Sequence, residues 1–179
     1  MQNQSSISLI DHLGEGTEID PDLEITMFNR RENDTRGVSI GSGCRIYSRN
    51  RLVLGDMTEN TGADLLIGNR VMINSGCYIS GEGGLEIGDY VLIGPNNCIL
   101  SAGHNYSDPS EIIQLQGISY GRIIIEKGAW IGASCVLLQG ITIGEGAVVG
   151  AGAVVTGASP SMAVAVGNPA GVVKYRSRD

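Results

Sequence analysis

Residues 125–154 read IEKGAW, IGASCV, LLQGIT, IGEGAV and VGAGAV, and Val155 opens the next unit. An aliphatic residue stands first in every unit: Ile125, Ile131, Leu137, Ile143 and Val149. Glycine follows it at Gly132, Gly144 and Gly150. The same register appears upstream as IGNRVM and INSGCY from Ile67 and Ile73, ending on Ile79. After two extra residues it returns as IGDYVL and IGPNNC from Ile87 and Ile93, ending on Ile99, and a weaker copy starts at Ile40 and Ile46. A strict period of six is the mark of a repeat architecture. It does not fit the 3.6-residue period of an amphipathic helix.

Each six-residue unit makes one short strand and one tight corner. The first aliphatic points inward. The second position needs a positive φ or a close backbone approach, which favours glycine. The fifth position also faces the interior near a corner and must be slim, as at Cys44, Cys77, Val91, Ala129, Cys135, Ala147 and Ala153. Three units close one triangular coil, and stacked coils bury one continuous aliphatic core. The cysteines at fifth positions are then small core residues. The four cysteines form no CxxC metal or redox pair and suit a reduced, cytoplasmic chain.

Composition agrees. The 179 residues amount to one domain, with 42% hydrophobic residues, 4% aromatics and 27 glycines. That is a core of Ile, Val, Leu and Ala, built from short strands and tight turns. The net charge of −7 argues against general nucleic-acid binding, which rests on phosphate neutralisation. No stretch is long enough for a transmembrane helix, and the opening MQNQSSISLIDHLGEG has neither the basic start nor the apolar run of a signal peptide.

The repeat fails once in mid-chain. Residues 101–120, SAGHNYSDPSEIIQLQGISY, hold no hexapeptide register between the equivalent Ile87 and Ile125. We read one coil plus an inserted loop of about twenty residues, and long loops in compact repeat folds are usually functional or disordered. This one carries His104, one of two histidines in the chain. His12, the other, reads as a surface or packing residue. Taken alone, His104 is equally readable as an idle loop histidine.

The stretches GHNY (103–106), AWIGASCVLLQGITIG (129–144), VVGAGAVVT (148–156) and GNPA (167–170) together resemble the hexapeptide-repeat acyltransferases. The branch they resemble is the sugar O-acetyltransferases: the maltose, galactoside, capsule and O-antigen enzymes. The resemblance covers about residues 38 to 175. It implies an all-β, single-stranded left-handed parallel β-helix with an inserted active-site loop and a short C-terminal extension. The expected division is an N-terminal segment 1–37, the β-helix 38–157 with the loop at about 101–120, and an extension 158–179. It also implies a homotrimer with the active site between subunits.

Acetyl transfer from a thioester to a hydroxyl needs a base, a stabilised oxyanion and aligned substrates. Imidazole suits the first task, because its ordinary pKa of about 6.5 lies near working pH. The resemblance makes His104 that base. No serine or cysteine lies in a nucleophile motif, so direct transfer is expected rather than an acyl-enzyme. By the same resemblance, acetyl-CoA is the co-substrate, Trp130 flanks its pantetheine arm, Ala133 sits beside the thioester, and Ala151 is a further acetyl-CoA-binding residue. Alanine at position 133 restricts any oxyanion donor there to the main-chain N–H. Thr156 lies toward the adenine end, where relatives often continue with Lys and this chain has Gly157. Lys174 and Arg176 are candidates for the coenzyme's phosphates, with Arg178 beside them. Asn74 matches an asparagine near the acceptor hydroxyl and the base, and is counted with both. Its competing role is a corner amide stacked in the coil. Glu82 matches, less closely, a carboxylate that contacts sugar hydroxyls.

Arg30, Arg31, Arg36, Arg45, Arg49 and Arg51 make up half of the twelve basic residues. Either they keep a solvated first coil from stacking on another molecule, or Arg45 and Arg49 hold the phosphates of an activated or lipid-linked sugar. No metal is expected, since a zinc enzyme of this shape needs three histidine ligands. The rival functions are a sugar-nucleotide N-acetyltransferase and a non-catalytic structural β-helix.

Overall fold

The computed structural model describes residues 6–177, so Arg178 and the first five residues of the opening stretch lie outside it. Three parallel sheets wrap one core. The first face stacks His12–Leu13, Val38–Ile40, Leu65–Ile67, Leu85–Ile87, Ile123–Ile125 and Thr142–Ile143. The second stacks Glu18–Ile19, Arg45–Ile46, Met72–Ile73, Leu92–Ile93, Trp130–Ile131, Val148–Val149 and Ala163–Val166. The third stacks Glu24–Phe28, Arg51–Asp56, Tyr78–Ser80, Cys98–Ile99, Val136–Leu137 and Val154–Val155. The chain visits the faces in turn, as a left-handed parallel β-helix does.

Inward residues form ladders that run the length of the prism. Ile40, Ile67, Ile87, Ile125 and Ile143 line the first face, all at 4% exposure or less. Ile46, Ile73, Ile93, Ile131 and Val149 do the same on the second. Burying each such side chain contributes about 1.5–3 kcal/mol. The fifth-position residues are buried as the repeat requires, Cys44, Cys77 and Cys135 among them. Two members of that corner stack are polar. Asn50 accepts from the Cys77 N–H at 2.8 Å and donates to the Tyr47 carbonyl at 2.7 Å. Asn97 accepts from the Cys135 N–H at 2.7 Å and donates to the Gly94 and Gly132 carbonyls. Both amides are buried and paired, which removes the cost of putting them there.

The second-position glycines owe their place to close approach, not to a positive φ. A side-chain carbon on Gly132 would sit 2.5 Å from the Ala151 nitrogen, and one on Gly144 would sit 2.4 Å from the Ser161 nitrogen. The left-handed backbone falls at the fourth position instead, at Gly128, Ser134, Gly140, Gly146 and Gly152.

The stacking starts well before residue 38. His12–Leu13 pairs with Ser39–Ile40, and Glu18–Ile19 pairs with Arg45–Ile46. It also passes residue 157: Ala163–Val166 extends the second face and Gly171–Tyr175 folds back on it antiparallel. The segments on either side of 38–157 therefore continue the solenoid. The early coils look irregular because equivalent residues lie 27 apart, as Ser42 and Asn69 do. The extra residues all leave at one corner, between the third face and the first: 29–37, 57–64, 81–84 and 100–122. They gather along a single edge of the prism.

Candidate active site

The last and longest of these excursions begins as a small antiparallel ladder. Ala102–His104 pairs with Ile118–Tyr120 in the register Ala102 to Tyr120, Gly103 to Ser119 and His104 to Ile118. His104 ends its strand and is exposed. It borders a cleft of about 610 Å³ whose walls include Leu100, Tyr106, Ser119, Leu138 and Gln139. An imidazole can act as a base only where it meets a substrate, and the edge of a rigid scaffold presents His104 to a part-apolar hollow.

Glu82 stands on the same edge, one coil earlier. Its carboxylate accepts from the Ser80 hydroxyl at 3.0 Å, and Ser80 in turn contacts the Ser101 hydroxyl at 3.0 Å. Burial pushes the Tyr78 and Tyr120 hydroxyls up, and the nearby Glu82 carboxylate pushes both further. The phenols of this edge thus stay protonated and available as donors.

The second cleft, of about 820 Å³, lies on the second face. It is lined by Leu92, Trp130, Val148, Val164, Lys174, Tyr175 and Arg176. Trp130 pairs in the ladder with Leu92 and Val148, and its side chain is 52% exposed. The C-terminal strand brings Lys174 alongside, and Arg176 donates to the Gly146 carbonyl at 2.6 Å. An indole beside two cations fits a long thioester arm that ends in phosphates. Ala133 and Ala151 sit on successive coils of the adjoining corner, where the Gly152 N–H donates to the Ala133 carbonyl at 2.8 Å. Among the described residues, no metal-holding group of three or more His, Cys, Asp or Glu is present, and no helix is long and apolar enough to cross a membrane.

Residues 122–157 match the family model of bacterial transferase hexapeptide (six repeats). A putative acetyltransferase of Saccharomyces cerevisiae is 33% identical over 69% of this chain and 67% of its own length. The chain belongs to the hexapeptide-repeat acetyltransferase family. A galactoside O-acetyltransferase of Lactococcus lactis is 25% identical over 99% of this chain and 79% of its own. The hexapeptide-repeat acetyltransferase of Vibrio cholerae solved with acetyl coenzyme A superposes with a TM-score of 0.65, at 25% identity, over 97% of this chain and 75% of that one. The chain spans about half the length of other curated relatives that it matches, 49% and 54% in two cases.

In this hexapeptide-repeat protein the residues singled out from sequence fall into separate places. His104 and Glu82 share the edge of insertions. Trp130, Lys174 and Arg176 share the second face. Thr156 is exposed just after the last strand of the third face. Asn74 lies at the corner between the second and third faces, where its Oδ1 accepts from the neighbouring Ser75 N–H at 2.8 Å. Neither Asn74 nor Trp130 lines the His104 cleft of the same chain. The amides that stack in the coil are Asn50 and Asn97, not Asn74.

Arg45 is already engaged: it pairs with Asp20 at 2.9 Å and Glu18 at 3.2 Å, and lies 4.8 Å over the Tyr47 ring. Arg30, Arg36 and Arg51 hold Asp11, Asp34 and Glu24. The Arg49 backbone N–H donates to Asp22. Gln139, Ser119, Tyr120 and Asn60 were not picked out from the sequence. Their contacts cross the insertion edge, and nothing in a hexapeptide marks them.

Proposed function

We propose that this protein transfers the acetyl group of acetyl-CoA to a hydroxyl of a sugar or a cell-surface polysaccharide precursor, with His104 as general base. The observation that carries the reading is the exposed imidazole on a cleft, set there by the longest of the excursions that leave the solenoid at one edge. His104 accepts the proton of the acceptor hydroxyl while the hydroxyl oxygen attacks the thioester carbon. The main-chain N–H of Ala133 donates to the developing oxyanion. The carbon–sulfur bond then breaks, and the proton held by His104 leaves with the coenzyme A thiolate. Base catalysis of this kind supplies about 10²–10⁴ in rate.

Trp130, Ala133 and Ala151 line the path of the pantetheine arm in this reading. Lys174 and Arg176 face its phosphates, and Thr156 lies near the adenine. Glu82 and Asn74 contact the acceptor. In this reading the chain works as a homotrimer, and the reading is supported by two clefts that have no lining residue in common and lie on different sides of the prism. The loop carries Tyr106, Ile112 and Leu115 at 77%, 70% and 68% exposure, an apolar surface suited to a neighbouring copy. Cyclic closure is the usual outcome of such a head-to-tail contact.

The test is mass spectrometry of bacterial sugars and lipid-linked oligosaccharides incubated with the protein and acetyl-CoA. An acetyl ester on a sugar hydroxyl is the expected product. Acetylation of amino-sugar nucleotides alone would assign the amine as acceptor, and no product from either class would leave the protein a structural β-helix.

A further inference from the structure

The ladder that carries His104 has only three residue pairs, and its tip, 105–117, is knit to itself. The Asn105 N–H donates to the Gly117 carbonyl, its side chain donates to the Gln116 carbonyl, and the Gln116 side chain donates to the carbonyls of Asp108 and Glu111. None of these bonds reaches the solenoid. The attitude of the hairpin, and so the direction of His104, is set at its base.

Two consecutive residues do this. Side chains alternate across a strand, so Ser119 and Tyr120 point to opposite faces of the hairpin. The Tyr120 hydroxyl donates to Asn60 Oδ1 in the 57–64 excursion, on the N-terminal side. Ser119 Oγ accepts from Gln139 Nε2 at 2.8 Å, on the C-terminal side, and donates across the ladder to the Gly103 carbonyl at 3.1 Å. Gly103 is the residue before His104. The hairpin is thus bonded from above and below.

Both anchors are fixed by the scaffold. Asn60 is buried, donates its side-chain N–H to the Leu54 carbonyl at 3.1 Å, and receives Arg36 on its own carbonyl at 2.7 Å. Gln139 sits on a corner whose neighbours are held by Leu138 N–H to Val155 and Gly140 N–H to Gly121. Gln139 Oε1 is buried with no partner among the described residues. An apolar side chain there would avoid that desolvation cost. The amide's one satisfied side-chain bond goes to the hairpin.

We infer that Asn60 and Gln139 are positioning residues for His104, acting as a two-sided clamp through Tyr120 and Ser119. The inference rests on His104 being the base. A base held loosely loses turnover, since a misplacement of about 1 Å can cost about 10²-fold. None of the four clamp residues lines the Trp130 cleft, so the contacts that cleft offers acetyl-CoA are left in place.

The experiment uses the full chain with Tyr120→Phe and Ser119→Ala, each of which removes a single oxygen. Each should lower kcat about tenfold with an unchanged KM for acetyl-CoA, and each should speed hydrogen exchange at the amides of 102–104 and 118–120. Combined with His104→Ala, neither should lower the residual rate further, because residues acting through one group are not additive. Unchanged kcat together with unchanged exchange in both variants overturns the clamp. Additive losses in the double variants also overturn it, since the two residues would then act on something other than His104. Full turnover in His104→Ala alone would remove the base assignment and leave the exchange measurement to decide the clamp.

Discussion

The coils after Ile123 and the coils before Leu65 obey the same inward pattern but spend their residues differently. In the later coils every corner is tight, and equivalent residues such as Ile125 and Ile143 pair without excess chain. In the earlier coils the third corner swells, and equivalents such as Val38 and Leu65 pair across a long excursion. The buried ladders are the same in both. Scaffold and excursion are therefore separable. The core tolerates extra chain at a corner because loop closure costs little more as the loop grows. All of that chain leaves on one edge, and His104 stands there.

Separability can be broken by variants in each region. The largest effect belongs to the edge: His104→Ala should cut turnover about 10²–10⁴-fold while stability moves by about 0.5 kcal/mol or less. Kinetics and thermal unfolding of one preparation check both halves. The core should behave in the opposite way. Ile143→Ala should cost about 2–5 kcal/mol of stability, with turnover per folded molecule close to the parent. A large loss of turnover at full stability would mean that scaffold and site are not separable.

Legibility followed the same division. The period of six from Ile125 to Val155 made the fold readable, because each position had one steric demand. It was unreadable before Ile40, where the excursion at 29–37 shifts the phase and the pairings of His12 with Ser39 and of Glu18 with Arg45 reveal the first coil. His104 could be found because it interrupts a pattern and sits in GHNY. Gln139 could not, since LLQGIT is an ordinary unit until the hairpin lies over it. The second-position glycines were placed correctly for one of two offered reasons, the close approach of the next coil.

A smaller effect is expected from the arginines. With the Arg45 and Arg51 guanidinium groups already paired to carboxylates, changing Arg45, Arg49 and Arg51 to Gln should leave the acceptor KM close to the parent's. A tenfold or so rise in acceptor KM that fades with salt would assign them to acceptor phosphates instead. The smallest effect concerns the excursion at 29–37. Side-chain and backbone hydrogen bonds from Arg36 lower the Asp34 carboxyl from 3.8 to about 2. A depressed carboxyl stabilises the fold above its unfolded pKa and loses that contribution as pH falls through the folded value. Asp34→Asn should therefore lower Tm slightly at neutral pH, and its Tm should converge with the parent's as pH drops from about 4 toward 2. A constant offset across that window would show that the pairing with Arg36 is not what Asp34 contributes.

The central claim is that the His104 edge of one chain and the Trp130 face of another make one site. Co-expression of His104→Ala chains with Trp130→Ala chains tests it directly, because each mixed assembly can pair an intact edge with an intact face. The account predicts acetyl transfer in the purified mixed oligomers well above that of either variant alone. Activity no greater than the sum of the two separate variants would contradict it.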